Sequence, residues 1–303
     1  MEFKVNTSRK AANNTSGAIS RRDILRLGAA GVTGFAFAGS RAAAASTRCD
    51  SVVLLWMAGG VSHLDTFDPK PDAPTEIRGP FKAIATNVPG IQLCEHLPRL
   101  ARMADKIAFI RSMHHGEGAH ECARSLMLNG WERSRPAFAA ETEPGIASES
   151  CNRSDLSEKC LRARRLVEGG ARFVMVEENG WDHHFRAFDS LTNRLPAFDR
   201  AVSALIGDLA ERGLLDRTLV VCATEFGRSP RINNEAGREH HPGVFSCLLV
   251  GGGIRGGQVI GASDARGEMP VENPVTPEDL VRTVWRQLGV NALESGAVIR
   301  GVA

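Results

Sequence analysis

The sequence predicts an α/β fold with a mainly parallel, doubly wound sheet between helices. Short apolar runs of strand length alternate with segments of helical periodicity, which is the pattern of such folds. The runs are apolar at nearly every position, as expected for strands buried on both faces of a parallel sheet. Residues 46–303 are numerous enough for one large domain with a substantial core.

Five strands are predicted from these runs. The first, Ser51–Ala58 (SVVLLWMA), is closed by Gly59-Gly60. The later ones are Lys106–Ser112, Arg172–Val176, Thr218–Ala223 and Val244–Val250. Helical spacing predicts helices over Leu97–Asp105, Leu156–Glu168, Leu195–Arg212 and about Pro277–Leu288. Gly169-Gly170 ends the second of these helices, and Thr276 is suited to cap the last.

The N-terminus has the features of a twin-arginine export signal. Arg21-Arg22 precede a short apolar run rich in Gly and Ala, and Ala43-Ala44-Ala45 supply a cleavage site. The run is too short for a membrane-spanning helix. We therefore expect the twin-arginine machinery to export the protein and residues 1–45 to be cleaved off. The mature protein is then periplasmic or extracellular and has no membrane span.

Charge and cysteine content exclude several classes of protein. Residues 1–45 hold seven of the 37 basic and two of the 35 acidic residues, so 30 and 33 remain and no basic surface for nucleic acid is indicated. The seven cysteines are widely spaced without a CxxC pair, so neither a zinc knuckle nor a dense disulfide framework is predicted. Cys151 and Cys160 can pair in an oxidising compartment, or stay free thiols.

Polar motifs rich in acids and histidines follow four of the predicted strands. The four motifs are VSHLDTFD, MHHGEGAHE, GWDHH and TEFGR, and they hold six of the nine histidines. Two more histidines lie beside an acid in GREHHP, so that only His96 stands apart. In open α/β sheets the carboxyl ends of the strands line the ligand crevice. The four motifs are therefore expected to meet at one edge of the sheet.

The residue types in these motifs suit a metal site, because imidazole nitrogen and carboxylate oxygen bind zinc, iron or manganese. Asp182 and His184 are two apart and can face one point, or belong to a polar surface loop. Glu225 ends an apolar strand, where it either binds a metal or pairs with Arg228. His240 or His241, in GREHHP, completes the set unless this is only a polar turn; Glu239 is a candidate to orient it.

The motif after the first strand supplies candidate nucleophiles. Ser62 or Thr66 can attack with a metal lowering the hydroxyl pKa, although Ser62 is also suited to cap a helix. Asp65, in the same motif, is a further candidate ligand. His120 is a candidate to contact substrate or metal, or simply part of a solvated helix start. Arg111, Arg228 and Arg238 can bind an anionic group or merely pair with acids.

Two long stretches resemble the exported domain-of-unknown-function family 1501, which is related to sulfatases and alkaline phosphatases. The first is LLWMAGGVSHLDTFDPKPDAPTEIRGPFKAIATNVPGIQLCEHLPRLARMADKIAFIRSM, and the second begins LVEGGARFVMVEENGWDHH and ends GREHHPG. The resemblance implies an alkaline-phosphatase-like (sulfatase-like) domain over residues 46–303 with a metal site at the strand ends. It also implies that the segment 131–159 is shortened relative to the family.

The same resemblance implies roles for individual residues. Asp182 and His184 match a spaced Asp and His, Glu225 matches the Asp of an Asp-His pair, and His240 or His241 matches a later lone His. Two departures accompany this match. Phe226 stands where the second histidine of the pair would be, and Gly59-Gly60 replace the carboxylates usual after the first strand.

Two functions of different classes follow. The first is an exported metal-dependent hydrolase of sulfate or phosphate esters, acting on an anionic small molecule or on a sulfated or phosphorylated polymer. Its cofactor is a divalent metal: zinc above all, otherwise manganese, calcium or iron. The second is a non-catalytic exported binding or structural protein on a degenerate hydrolase scaffold. A gene product that never folds stably, because of the shortened middle, is a third interpretation.

Overall fold

The structure, a computed structural model, describes residues 49–130, 155–289 and 297–302. The predicted export signal and most of the segment 131–159 lie outside the described residues, as does Cys151. Cys160 is a free, buried thiol, and burial raises its pKa to about 12. In the described part of the chain, no helix is long and apolar enough to cross a membrane.

A six-stranded sheet forms the centre of the fold, in the order β6-β2-β5-β4-β1-β3. Its strands are β1 Ser51–Ala58, β2 Ile107–Met113, β3 Phe173–Asn179, β4 Thr218–Ala223, β5 Phe245–Val250 and β6 Gln258–Ile260. Five strands run in one direction, and β5 is antiparallel to its neighbours β2 and β4. The predicted mainly parallel α/β class is confirmed.

Each face of the sheet is covered by its own hydrophobic core, which explains the continuous apolar runs. Along β1, Val53, Leu55 and Met57 enter one core, and Val52, Leu54 and Trp56 enter the other. Successive side chains of a strand point to opposite faces, so a strand covered on both faces needs apolar residues at every position. Strands β4 and β5 are buried at all six positions.

Within the described residues, four helices of at least ten residues flank the sheet: α1 His120–Asn129, α2 Leu156–Glu168, α3 Ala187–Glu211 and α4 Pro277–Gln287. Buried residues of α2 and α3 belong to the first core, and those of α1 and α4 to the second, so helices cover both faces. As predicted, Thr276 caps α4, in a reciprocal pair of hydrogen bonds with Asp279.

Two helix predictions differ from the structure. Helix α3 begins at Ala187, eight residues before the predicted start, and continues through Pro196. The predicted helix Leu97–Asp105 is interrupted: a short helix Pro98–Ala101 is followed by a 3₁₀ turn Ala104–Lys106. In the ranges that the structure describes, the remaining short elements are the helix Thr75–Arg78, the 3₁₀ turn Leu215–Arg217 and three two-stranded ribbons. The ribbons are Ala83–Ala85 with Gln92–Cys94, Gly227–Arg228 with His240–His241, and Ala262–Ser263 with Pro270–Glu272.

The carboxyl ends of β1, β3 and β4 meet at one edge of the sheet, as the sequence predicts. The backbone N–H of Trp181, after β3, donates to the carbonyl of Ala58 at the end of β1 (3.1 Å). The backbone N–H of Gly59 donates to Oε1 of Glu225, after β4 (2.7 Å). These bonds bring residues distant in sequence to one place and define where the candidate site lies.

Candidate metal centre

Three histidine side chains converge on the carboxylate of Asp182. Nε2 of His184 lies 3.0 Å and Nε2 of His240 3.2 Å from Oδ1, and Nε2 of His120 lies 3.4 Å from Oδ2. The Nε2 atoms of His184 and His240 are 3.0 Å apart. Ligand atoms of His120, Asp182 and His240 all lie within 4.8 Å of one another, close enough to share one ion. We call His120, Asp182, His184 and His240 the histidine cluster.

The other ring nitrogen of each histidine faces a fixed acceptor. Nδ1 of His120 lies 2.8 Å from Oε1 of Glu225, and Nδ1 of His184 lies 2.6 Å from Oε2 of Glu239. Nδ1 of His240 lies 2.9 Å from the carbonyl oxygen of Gly118. A carbonyl or a carboxylate can only accept, so all three Nδ1 atoms carry the proton.

This arrangement leaves unshared electron pairs facing one another. A neutral imidazole protonated at Nδ1 has a lone pair at Nε2, and here three such pairs face each other and a carboxylate. In the neutral state none of these nitrogen atoms brings a proton to the shared space. A cation bound among these lone pairs would relieve the repulsion, and metal-binding histidines are commonly held in this way by a carboxylate or carbonyl on the other nitrogen.

Glu225 belongs to the site but faces His120 rather than the centre of the cluster. It is 3% exposed, and its Oε1 also accepts from the backbone N–H of Gly59. Its Oε2 lies 3.3 Å from the hydroxyl of Thr224. Glu225 therefore faces His120 and Gly59, whereas the sequence offered it either as a metal ligand or as the partner of Arg228.

Arg228 holds the carboxylate of Asp182. The arginine is 1% exposed and donates to Oδ1 of Asp182 and to the backbone carbonyls of Gly59 and Gly60. Partial burial acts to raise the pKa of Asp182, but the hydrogen bond and charge of Arg228 outweigh it and lower this pKa to about 2. Asp182 is thus a carboxylate anion over the whole neutral range.

The register of a short ribbon decides which of the two adjacent histidines reaches the cluster. Arg228 pairs with His240, and Gly227 pairs with His241. Because neighbouring residues of a strand point to opposite sides, only one imidazole can face Asp182. His240 does so, whereas Nε2 of His241 lies 2.8 Å from the carbonyl of Glu268. Between the two candidates that the sequence left open, His240 is the one in the cluster.

The structure does not bring the motif after β1 into the cluster. Ser62, Asp65 and Thr66 are at most 5% exposed. The Ser62 hydroxyl donates to Asp65 (2.5 Å), and the Thr66 hydroxyl donates to the carbonyl of Ser62 (2.6 Å). Asp65 accepts two hydrogen bonds from Arg238, at 2.7 and 3.0 Å. Hydrogen bonds among these four residues form a buried polar cluster, which we call the buried clamp.

The arginines considered for anion binding also contact the protein itself. Arg238 is 1% exposed and, besides Asp65, donates to three backbone carbonyls. Arg111 donates to the carbonyls of Phe67 and Gln92 and lies 3.4 Å from Asp68. The alternative interpretation from the sequence, that these arginines pair within the protein, describes their contacts.

Phe226 and Asn233 lie beside the cluster, and the sequence had not indicated what either side chain contacts. The ring of Phe226 lies 4.4 Å from the ring of His240 and 4.9 Å from that of His120, so it packs directly against the cluster. Asn233 donates to Glu239 (2.7 Å) and to the carbonyl of His184 (2.8 Å). The only signal for Asn233 was its residue type in a polar loop, where Asn favours turns.

Comparisons with known proteins give one family and a set of similar folds. A family model described as protein of unknown function (DUF1501) matches residues 49–157 and 141–296. No curated protein sequence matches the chain.

Among the solved structures that resemble this chain, the following three are similar at low sequence identity. The C-terminal periplasmic domain of EcEptC from Escherichia coli, in complex with Zn, has a TM-score of 0.49 and 7% identity, covering 82% of this chain and 85% of that chain. The lipoteichoic acid synthase LtaP from Listeria monocytogenes has 0.46 and 9%, covering 84% and 75%. The PsFucS1 sulfatase from Pseudoalteromonas sp. has 0.46 and 12%, covering 83% and 70%.

Proposed function

For this chain, which belongs to the DUF1501 family as its sequence motifs led us to expect, we propose the function of a metal-dependent hydrolase of sulfate or phosphate esters. The observation that carries the proposal is the convergence of three histidine Nε2 atoms on the Asp182 carboxylate. Each of these histidines is fixed at Nδ1 by a separate acceptor. We also propose export through the twin-arginine pathway to the periplasm or cell exterior, supported by Arg21-Arg22 and the apolar run behind them.

The donor set fits a divalent transition metal. Three imidazole nitrogens and one carboxylate oxygen are four ligands of the kind zinc prefers, and they also suit manganese and iron. Calcium prefers oxygen ligands throughout, so this nitrogen-rich set disfavours it. Asp182, His184 and His240 would hold the ion together with His120. Glu225 and Glu239 would orient two of these histidines instead of binding the ion.

The chain's own residues prepare the site for hydrolysis. Arg228 keeps Asp182 ionised, and the acceptors at the three Nδ1 atoms keep the Nε2 lone pairs directed inwards. When bound, a divalent cation would supply Lewis acidity and activate water for attack. The hydroxyls of Ser62 and Thr66 are buried and engaged in hydrogen bonds, which supports water rather than a side chain as the nucleophile.

The cluster is open enough to admit an ester. The side chains of Asp182, His120 and His184 are 44%, 36% and 35% exposed. A Lewis acid at this position would bind an anionic oxygen of a sulfate or phosphate group. Because the centre lies at the surface edge of the sheet, an ester carried on a polymer can reach it as well as a small molecule.

The second candidate is a metal-binding protein without turnover. It is favoured by one observation: the candidate hydroxyl nucleophiles lie in the buried clamp and not at the cluster. In this case the same residues bind the same ion, and the chain recognises an anionic ligand without cleaving it.

The test is metal binding and turnover of the full chain and three variants. We expect one zinc ion per chain, lost in Asp182→Ala and His240→Ala but kept in His241→Ala, a matched control whose imidazole faces away. Turnover of 4-nitrophenyl sulfate or bis(4-nitrophenyl) phosphate that disappears with the metal would establish the hydrolase. Stoichiometric metal without turnover of a broad ester panel would favour the binding protein. A folded parent chain that binds no divalent metal overturns both.

A further inference from the structure

We propose that Asn233 is a positioning residue for the metal centre, acting on His184 through Glu239. The inference rests on the proposed function, because the role given to Asn233 is to present His184 to a cation. The Asn233 side chain uses its full hydrogen-bonding capacity. Its Nδ2 donates to Oε1 of Glu239 (2.7 Å) and to the carbonyl of His184 (2.8 Å). Its Oδ1 accepts from the backbone N–H groups of Glu235 (3.0 Å) and Gly237 (2.8 Å).

The oxygen and the nitrogen of the Asn233 amide make different contacts, which a substitution can separate. The oxygen closes the turn that runs from Asn233 to Gly237, as asparagine side chains commonly do. The nitrogen reaches out of the turn to two groups that belong to His184: its own backbone carbonyl, and the carboxylate that faces its imidazole. A substitution that keeps the oxygen and removes the N–H donors therefore separates shaping the turn from orienting the histidine.

Glu239 needs such a partner because its side chain is 57% exposed. A free carboxylate at the surface would sample several rotamers, and only some of them reach His184. Asn233 fixes Oε1, and this leaves Oε2 at 2.6 Å from Nδ1 of His184. With Nδ1 held in its protonated form, the lone pair of Nε2 faces Asp182 and His240.

The whole turn is docked on the chain segment that carries His184. The N–H of Arg186 donates to the carbonyl of Glu235, and the N–H of Ala187 donates to that of Ala236, both at 2.9 Å. In return, the N–H of Arg238 donates to the carbonyl of His183 (3.0 Å). This turn also connects the two strands of the ribbon that carries His240. It thereby fixes two cluster histidines, from distant parts of the sequence, relative to each other.

The decisive variant is Asn233→Asp in the full chain. Aspartate retains an oxygen for the turn, but it loses both donors and places a negative charge beside Glu239. The matched control is Asn87→Asp. Asn87 makes the same pair of bonds, donating to the Asp105 carboxylate (2.6 Å) and accepting from the Asp105 N–H (3.1 Å). That pair precedes β2, at the opposite edge of the sheet from the cluster, so Asn87→Asp makes the same loss of a donor and gain of charge away from His184.

Two readouts are needed, and one of them requires no metal. In the metal-free chain, ¹⁵N NMR of the His184 ring reports which nitrogen carries the proton. We expect the Nδ1–H form in the parent and in Asn87→Asp, and a mixture of both forms in Asn233→Asp. In zinc titrations we expect Asn233→Asp to bind about tenfold or more weakly than the parent, and Asn87→Asp to bind like the parent. The cobalt(II) absorption spectrum should change only in Asn233→Asp.

The outcomes separate this inference from the function proposed above. A His184 ring that keeps the Nδ1–H form in Asn233→Asp overturns the positioning role, whatever the metal does. If Asn233→Asp changes the protonation form of the His184 ring but the parent chain binds no metal, the positioning role is supported and the metal centre is overturned. Equal losses of zinc affinity in Asn233→Asp and Asn87→Asp would assign the effect to general charge and contradict the inference.

Discussion

Glu225 accepts a 2.8 Å hydrogen bond from Nδ1 of His120, a residue 105 positions earlier in the chain. The bond joins the end of strand β4 to the first residue of helix α1. The backbone N–H of Gly59, after β1, donates to the same carboxylate oxygen. One buried side chain thus ties together three segments that meet at the edge of the sheet.

We expect Glu225→Gln to weaken zinc binding by about 10- to 100-fold, because the carboxylate that fixes the His120 ring becomes a weaker, neutral acceptor. The measurement is a competitive zinc titration. Glu121→Gln is the control, since Glu121 is the next residue of the same helix and is exposed. If both variants retain the affinity of the parent chain, Glu225 does not orient a ligand.

The buried pair of Asp65 and Arg238 should be costly to break. Both side chains are at most 1% exposed, so Asp65→Ala leaves an arginine charge without its partner, and we expect a loss of about 3–5 kcal/mol in the free energy of unfolding. Urea denaturation measures this quantity. The double variant Asp65→Leu/Arg238→Met should lose less than Asp65→Ala, because no unpaired charge stays buried.

An exposed pair supplies the comparison for that experiment. Arg186 and Asp189 are 78% and 69% exposed, and Asp189→Ala should cost under about 1 kcal/mol. Similar losses of unfolding free energy in Asp65→Ala and Asp189→Ala would show that Asp65 and Arg238 do not form a buried ion pair.

The free energy of unfolding should decrease as the pH is lowered from 6.5 to 4. Burial lowers the pKa of His63 to about 4, and burial followed by the charges of Arg194 and Arg228 lowers that of His183 to about 4. Both are neutral when folded, whereas in the unfolded chain they take up a proton near pH 6.5. Their contribution is therefore complete above pH 6.5 and is lost as the pH falls towards 4.

His63→Gln isolates one of these contributions. Nε2 of His63 lies 2.9 Å from the carbonyl of Gly267, and a glutamine amide can donate there without titrating. For His63, at most about 3 kcal/mol depends on pH in this window. We expect a shallower pH dependence in His63→Gln than in the parent, from urea unfolding of the metal-free chain at pH 7.5, 6.0 and 4.5. Superimposable profiles would show that His63 is not buried in its neutral form.

Gly237 is the glycine on which the docking of the Asn233 turn depends. A Cβ atom there would lie 1.8 Å from the carbonyl oxygen of His184. Backbone atoms cannot yield as a flexible side chain does, so we expect Gly237→Ala to lower the free energy of unfolding by at least about 2 kcal/mol and to weaken zinc binding.

Gly207→Ala provides the opposite expectation for the same chemical change. Gly207 lies within helix α3, and a Cβ atom there meets nothing within 4 Å. Alanine should stabilise that helix by about 0.5–1 kcal/mol, without effect on zinc binding. Thermal unfolding of both variants measures the contrast. A Gly237→Ala protein as stable and as metal-competent as the parent would refute the close approach of the two segments.

The fold follows largely from the sequence, and particular elements show why. The predicted strands Ser51–Ala58 and Thr218–Ala223 and the predicted helix Leu156–Glu168 have the same bounds in the structure. Each is signalled locally, by a run of apolar residues at the period of the element and by glycines or caps at its ends. The placement of polar motifs after strands likewise required only local pattern and the general geometry of α/β sheets.

The sequence by itself determined the class of fold and the edge of the sheet at which Asp182, His184, Glu225 and the pair His240-His241 would meet. Only the tertiary structure decided that His240 faces the cluster and His241 does not, that Glu225 contacts His120, and that the neighbouring arginines are hydrogen-bonded within the protein. Apolar periodicity is a property of neighbours in sequence. Which of two adjacent side chains faces a site depends on the register between distant segments, and a shift of one residue in that register exchanges the two faces.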